Sequence, residues 1–327
     1  MREYIIKEND AGQRLDRFLK KVLPQLTQSL LQKSIRQNKI KVNRKKPKSE
    51  QHLTAGDLVQ LYLPDSFLSP PPPKDTSRAF LELHHPPLSI VYEDEHLLIV
   101  DKPSGLSVQP DKQESVHTLI NYIKAYLYET KAWDPGAEHA FAPALCHRID
   151  RNTAGLVIAA KTAEALRIMN QKIRDREIEK EYLCVIYGQI SPRRGTLTGY
   201  LKKDPAKNKV TVLPKKAKGA LFAQTIYETL ETREGLSLMR CRLVTGRTHQ
   251  IRAQFAAAGH PLLGDGKYGS EMENRKQKQK RQALYAAQLT FAFSTPAGCL
   301  DTLKGAIFRG NIAPFLRQFF PAPREKG

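Results

Sequence analysis

Cysteine is scarce in this sequence. The four cysteines, at 146, 184, 241 and 299, are far apart and form no CxxC pair. A zinc ribbon or disulfide framework needs tighter spacing, so four reduced thiols and no metal site are expected. No GxxxxGK[ST] or GxGxxG run occurs. That removes the phosphate-cradling loops of nucleotide-dependent enzymes. No stretch approaches about 18 uncharged apolar residues, so no membrane-spanning helix is expected. The opening MREYIIKENDAGQRLDRF has charges where a signal peptide needs an apolar run. Together these absences predict a cytoplasmic protein.

Acidic residues are also in short supply. Asp and Glu number 33 against 53 Lys and Arg, a formal net charge of +20 over 327 residues. Such an excess favours a polyanionic partner, because each neutralised phosphate releases condensed counterions. With no membrane segment expected, nucleic acid is the predicted partner. Hydrophobic residues make up 40%, enough for an ordinary globular core.

Four consecutive prolines, Pro70 to Pro73, sit in PDSFLSPPPPKDTSR. They cannot continue a helix or a central strand and favour an extended linker. The expected division is a module over 1–64, a linker over 65–78 and a larger domain over 79–327. In the module, Leu15, Phe18, Leu19, Val22 and Leu23 follow helical spacing. Ser29 is placed to cap a second helix carrying Leu30, Leu31 and Ile35. KIKVN and LVQLYL read as strands around the turn Ala55-Gly56-Asp57. Residues 1–64 hold 14 Lys or Arg against six Asp or Glu, a net of +8. This order and spacing resemble the S4 domain, a small αββ RNA-binding module. The resemblance makes Arg14, Arg36, Lys39, Lys41 and Arg44 candidate RNA contacts, although such lysines also serve simply to solvate a surface.

The larger segment mixes both periods. Strand candidates are LSIVYED, HLLIVDKP, AGLVIAAK, KEYLCVIYG and SLMRCRLV; helix candidates are SVHTLINYIKAYLYE, EALRIMNQKIRDR and THQIRAQFAAAG. Thr248 is the expected cap of the last helix and Gly259 its stop. The elements lack the regular rhythm of a doubly wound sheet. The expected fold is therefore α+β, with a mostly antiparallel mixed sheet. The runs Lys202-Lys203, Lys215-Lys216-Lys218 and Arg275 to Arg281 are expected in loops, solvated or touching phosphate.

The segment His147-Arg148-Ile149-Asp150-Arg151-Asn152-Thr153-Ala154-Gly155 sets an aspartate between two arginines. Basic neighbours keep a carboxylate ionised, ready to act as nucleophile or base. From spacing alone, a surface turn with a structural salt bridge is the simpler reading.

HRIDRNTAG resembles the HRLDxxTSG signature of the RluA-type pseudouridine synthases. Further stretches resemble that family in the same order. Tyr92-Glu93-Asp94-Glu95 and Ile99 to Gly105 correspond to its KPxG region, and Lys180-Glu181-Tyr182-Leu183 to its KxY strand. Thr245-Gly246-Arg247-Thr248-His249-Gln250-Ile251-Arg252 corresponds to TGRxHQIR, and Gly259 to Gly269 to GHPxxGDxxYG. Ile149 replaces a usual leucine and Ala154 a common serine, and neither touches a charged group.

The resemblance implies a cofactor-free isomerase of uridine in structured RNA, ribosomal RNA ahead of transfer RNA, working as a monomer. It implies that N1–C1′ is cut, the base turns, and C5 joins C1′. Positive charge builds on the sugar, and a carboxylate beside it offsets that charge. Asp150 is the implied carboxylate, by attack on C1′ or removal of the C2′ proton. Arg247 is its expected partner, with a phosphate contact as the other reading; Arg252 is the fallback. Tyr182 would stack on the flipped base, or else fill the core. Arg148 would fill the vacated stack. His147, Thr153 and Arg252 are further substrate-contact candidates, His147 chiefly as support for the turn. His249 and His260 read as structural. Two rivals remain: an inactive RNA-binding assembly factor, which would have lost Asp150, Tyr182 or Arg247, and a nucleoside hydrolase, which would release free uracil.

Overall fold

The computed structural model describes residues 1–68, 79–137 and 139–320. The Pro70 to Pro73 run lies outside them.

The first part has a core of its own. Strands β1 (Arg2–Ile5), β2 (Ile40–Val42) and β3 (Leu58–Leu61) form an antiparallel sheet in the order β1-β3-β2. Helices α1 (Leu15–Val22) and α2 (Gln28–Arg36) are amphipathic. They bury Leu15, Phe18, Leu19, Leu31 and Ile35 with Ile40, Val59 and Leu61. The cap of α2 is Thr27, whose hydroxyl accepts from the Leu30 amide at 3.4 Å, and not Ser29. β1 is an added strand: Tyr4 and Ile6 turn inward while its other residues face solvent. The module also runs past residue 64. A one-turn helix α3 (Asp65–Leu68) returns Leu68 to this core, so the first residues of the expected linker belong to the module.

Hydrogen bonds tie the module to the rest of the chain. The buried Asp10 carboxylate accepts from the amides of Ala140 at 2.9 Å and His139 at 3.3 Å. Arg167 donates to the Ala11 carbonyl at 2.7 Å.

The second part is built on one eleven-stranded sheet. Its elements in chain order are β4 (Ile90–Glu93), β5 (Leu97–Lys102), α4 (Leu119–Glu129), β6 (Ala144–Leu145), β7 (Ala154–Ala160), α5 (Ala163–Arg174) and β8 (Ile178–Tyr187). There follow β9 (Arg194–Asp204), β10 (Lys209–Leu213), β11 (Ala220–Arg233), β12 (Leu236–Leu243) and α6 (Gln250–Ala257). The chain continues with α7 (Glu271–Lys276), β13 (Leu284–Phe291), β14 (Ile307–Arg309) and α8 (Ala313–Phe319). The strand order is β10-β9-β11-β12-β8-β13-β7-β5-β4, with β14 on β13 and β6 on β7. Every pairing among the described residues of this sheet is antiparallel except β13 with β7, matching the α+β, mostly antiparallel expectation.

The central strands read as unbroken apolar runs because both faces are covered. Leu98 and Val100 of β5 face a core shared with α4 and Phe255 of α6. Leu97 and Ile99 face the opposite core, with Met169 of α5 and Phe291. The outer wing of β9, β10 and β11 was not expected. Its strands are partly solvated on both faces, so no clean apolar alternation marks them. Lys202 and Lys203 lie within β9, not in a loop.

Candidate functional site

The Asp150 turn joins β6 to β7 and is held by its backbone. The Asp150 carbonyl accepts from the Thr153 amide at 3.0 Å. The Arg151 carbonyl accepts from the Gly105 amide and from Lys102 Nζ, and the Asn152 carbonyl from the Ser104 hydroxyl. The Lys-Pro-Ser-Gly loop is therefore a clamp on the turn. Lys102 has no exposed surface. Burial pulls its pKa down to about 7, opposed by the charge of Asp150. Its nitrogen meets three carbonyls, those of Pro103, Leu106 and Arg151, at 2.8–3.0 Å. Only the ammonium form supplies three N–H bonds. Behind the turn, Gly155 has φ +108, and a Cβ there would lie 2.3 Å from the Ala286 carbonyl. Glycine is what lets β13 approach β7 at this point.

The partner of Asp150 is Arg252. Its Nη1 donates to Asp150 Oδ2 at 2.7 Å. Its Nε and Nη2 donate to the two oxygens of Asp265 at 2.7 and 2.9 Å. Asp265 is fully buried and also accepts from the Lys267 and Tyr268 amides. Burial works against these charges, but the pairing prevails: Arg252 is held above its ordinary pKa and Asp265 below. The buried Asp265 thus fixes the guanidinium along its Nε–Nη2 edge and leaves Nη1 for Asp150. Asp150 Oδ1 takes no hydrogen bond from the described residues.

The expected pairing of Asp150 with Arg247 is corrected by this geometry. Arg247 is exposed, and its Nε donates to the Phe222 carbonyl at 3.1 Å. The reason is local. The Gln250 side chain ties the Thr245–Arg247 loop to β11, accepting from Thr245 Oγ1 and the Arg247 amide while donating to the Gln224 carbonyl and Thr225 Oγ1. That knot turns Arg247 outward, and Arg252 enters from the first turn of α6. Thr248 does not cap α6; the N-cap is His249, in left-handed backbone with φ 53. Gly259 ends the helix as expected, with φ +87.

Asp150 stands at the meeting of three openings. A cavity of about 730 Å³ is bordered by Asp150, Arg148, Tyr182 and Arg247, with Lys180 and Arg176 on its far wall. A small cleft of about 70 Å³ is lined by Asp150, Tyr182, Ile251 and Leu284. On the other side lies a basin of about 440 Å³ lined by Arg151, Lys203, Lys267 and His249. Tyr182, Arg148 and Arg247 are therefore brought together around Asp150. Tyr182 is buried, and burial plus the Asp150 charge push its phenol pKa up, so it stays protonated. Arg148 is exposed, with no ion-pair partner among the described residues.

His147 Nε2 accepts from the Ile158 amide at 3.2 Å, and its pKa is pulled well down by burial and Lys180. It braces the turn against β7. Thr153 is buried, its hydroxyl bonded by Gln282. Arg14 is turned toward Asp16 at 2.8 Å and so stands apart from the other module candidates. Arg36, Lys39 and Arg44 are exposed, and Lys41 lies 5.3 Å over the Tyr62 ring. Asp265 and Lys102 went unassigned in the sequence, although each is the sole charged residue in its short motif core, GHPLLGD and KPSG.

Residues 96–257 match the family model described as RNA pseudouridylate synthase. The chain is 35% identical over 293 residues to an uncharacterized RNA pseudouridine synthase of Mycoplasma genitalium, covering 88% of each. It is 32% identical over 292 residues to ribosomal large subunit pseudouridine synthase C of Vibrio cholerae, covering 88% of this chain and 87% of that one. Against the protein of that name from Escherichia coli the identity is 30% over 299 residues, with the same coverage. Human RNA pseudouridylate synthase domain containing 4 shares the fold, at TM-score 0.55 and 20% identity over 70% of this chain and 92% of that one.

Proposed function

The chain belongs to the RNA pseudouridine synthase family, and from that premise we propose that it isomerises uridines of large-subunit ribosomal RNA, with Asp150 as the acting carboxylate. The observation that carries this reading is the one-sided anchoring of Asp150. Oδ2 is bound by Arg252 at 2.7 Å, while Oδ1 is left to a substrate. A carboxylate so held stays charged and correctly aimed as positive charge grows at C1′. Either step open to it, attack on C1′ or removal of the C2′ proton, uses that free oxygen.

The target base must leave its stack to reach Oδ1. Tyr182, in the lining of the small cleft, offers an aromatic face to the turned base. Its raised pKa favours stacking over accepting the C5 proton. Arg148, uncommitted at the rim, is suited to fill the gap left in the RNA. Arg36, Lys39, Lys41 and Arg44 on the N-terminal module supply phosphate contacts. The similar proteins of V. cholerae and E. coli are named for the ribosomal large subunit, which supports ribosomal RNA as the substrate. The enzyme works as a monomer in the cytoplasm. Among the described residues no helix is long and apolar enough to cross a membrane.

The test is a pseudouridine map of total RNA from a strain lacking the gene, complemented by wild type or Asp150→Asn. The expected result is loss of one or more large-subunit sites, restored only by wild type. Loss confined to transfer RNA would overturn the substrate. Restoration by Asp150→Asn would overturn the carboxylate.

A further inference from the structure

We propose that His249 is a positioning residue for this reaction: a neutral imidazole that presents its Nε2–H to the Asp150 carboxylate because the Tyr268 hydroxyl occupies its Nδ1. The proposal rests on Asp150 being the acting carboxylate.

The tautomer is set by the Tyr268 hydroxyl. Tyr268 Oη accepts from the Val210 amide of β10 at 2.8 Å. An amide nitrogen can only donate, so the one phenolic hydrogen is free to point elsewhere. The other polar atom beside it is His249 Nδ1, at 2.8 Å. When the hydroxyl donates to Nδ1, the ring hydrogen sits on Nε2; were the phenolic oxygen to accept from both neighbours, the hydrogen would sit on Nδ1. Nε2 faces Asp150 Oδ2 at 3.9 Å. In the neutral ring this contact is an N–H facing a carboxylate, not an ion pair. Burial pulls its pKa down to about 4, and Arg252 and Lys267 push the same way against Asp150 and Asp265. Besides those four groups it faces Tyr268, with Lys209 lying 5.4 Å over the Tyr268 ring, and it shares the openings around Asp150 with Arg148, Arg151, Tyr182, Lys203 and Arg247.

The backbone supports this aim. His249 has φ 53, a conformation uncommon for a residue with a side chain and concentrated where function fixes it. At 3.9 Å the approach is about 1 Å longer than a hydrogen bond, and such distances often shorten when substrate closes a site. Once closed, Oδ2 would hold two donors, from Arg252 and His249, and Oδ1 would be the single reactive oxygen.

Long-range 15N correlation spectra of the full-length enzyme read the tautomer directly, with His249 assigned by its loss in His249→Gln. The expected signature is Nε2–H, neutral from pH 8 to pH 5.5. In Tyr268→Phe the Nδ1 partner is gone, so the tautomers should mix and the ring should titrate nearer the usual histidine range. Single-turnover rates supply the second arm. Glutamine can present an N–H from the same region, so His249→Gln should stay within about threefold of wild type, whereas His249→Phe should be roughly tenfold slower with KM for RNA nearly unchanged. A ring protonated at pH 7, an Nδ1–H tautomer, or equal rates for the two variants would overturn the proposal. Failure of the underlying carboxylate reading shows separately, as activity retained by Asp150→Asn.

Discussion

In the catalytic unit Arg252 is 7% exposed and bound to two carboxylates, whereas in the N-terminal module Arg36, Lys39, Arg44, Lys45, Lys46 and Lys48 form no ion pair among the described residues, and Arg36, Lys39 and Arg44 are exposed. Both regions use cations, under opposite physical rules. A desolvated guanidinium locked on Asp265 holds one geometry, and salt barely reaches it. Exposed cations hold no geometry, and their attraction is screened beyond about 8 Å at physiological ionic strength. On the proposed reading, chemistry falls to the first region and affinity to the second.

The largest expected effect comes from breaking the buried pair. Arg252→Ala leaves Asp265 and Asp150 without their cation, which should cost roughly 3–5 kcal/mol of stability and, by loss of a preorganised charge, about 10²–10³-fold in turnover. Denaturant titration and single-turnover assays measure the two losses. Lysine should rescue only in part, because a point charge cannot bind two carboxylates as the planar fork does. Arg247→Ala should stay within about tenfold, since an exposed side chain on one carbonyl contributes little. If Arg247→Ala were crippling and Arg252→Ala mild, the assignment of the pair would be wrong.

A smaller effect is expected at Tyr182. Tyr182→Ala removes a stacking face and should slow the reaction by about ten- to hundredfold, in line with a base–aromatic stack. Tyr182→Phe keeps the face and should lose less. Wild-type rates in Tyr182→Ala would return the residue to the core.

The smallest effect on turnover, and the clearest on binding, is expected in the module. Neutralising Lys39, Lys41, Arg44 and Lys45 should flatten the dependence of log K on log salt by about 0.7 for each phosphate released, or roughly 2 for three phosphates. Turnover at saturating RNA should not change. Point substitutions suit this test better than removing residues 1–64. Asp10 is buried on the amides of His139 and Ala140, so deletion would also strip the cover from that segment. An unchanged salt slope would reduce these cations to a solvated surface.

The core and the turn that carries Asp150 were legible in the sequence because their signals are local. The runs LLIV and LVIAA announce strands covered on both faces, and Asp150 is the only acid in an arginine-flanked turn. The partner of Asp150 was harder, because it depends on how a loop is tied. Arg252 carried one usable sign: it stands inside α6, whose residues from Gln250 to Phe255 are all buried. Arg247 lies before the helix, where no periodicity applies. The wing of β9 to β11 escaped because its strands are partly solvated on both faces, and Lys202-Lys203 imitate a loop. His249 read as structural because the hydroxyl that meets its ring stands 19 residues away in sequence.

The central claim, that Asp150 acts on a uridine, is tested most directly by tritium release from RNA labelled at uridine C5. Asp150→Asn and wild type would be compared at saturating RNA, with affinity measured alongside. Asparagine keeps the size of the side chain but removes its charge. The predicted result is release reduced by at least about a thousandfold, in the range seen when a catalytic group is removed, with RNA affinity within a few-fold. Release within tenfold of wild type would contradict the account.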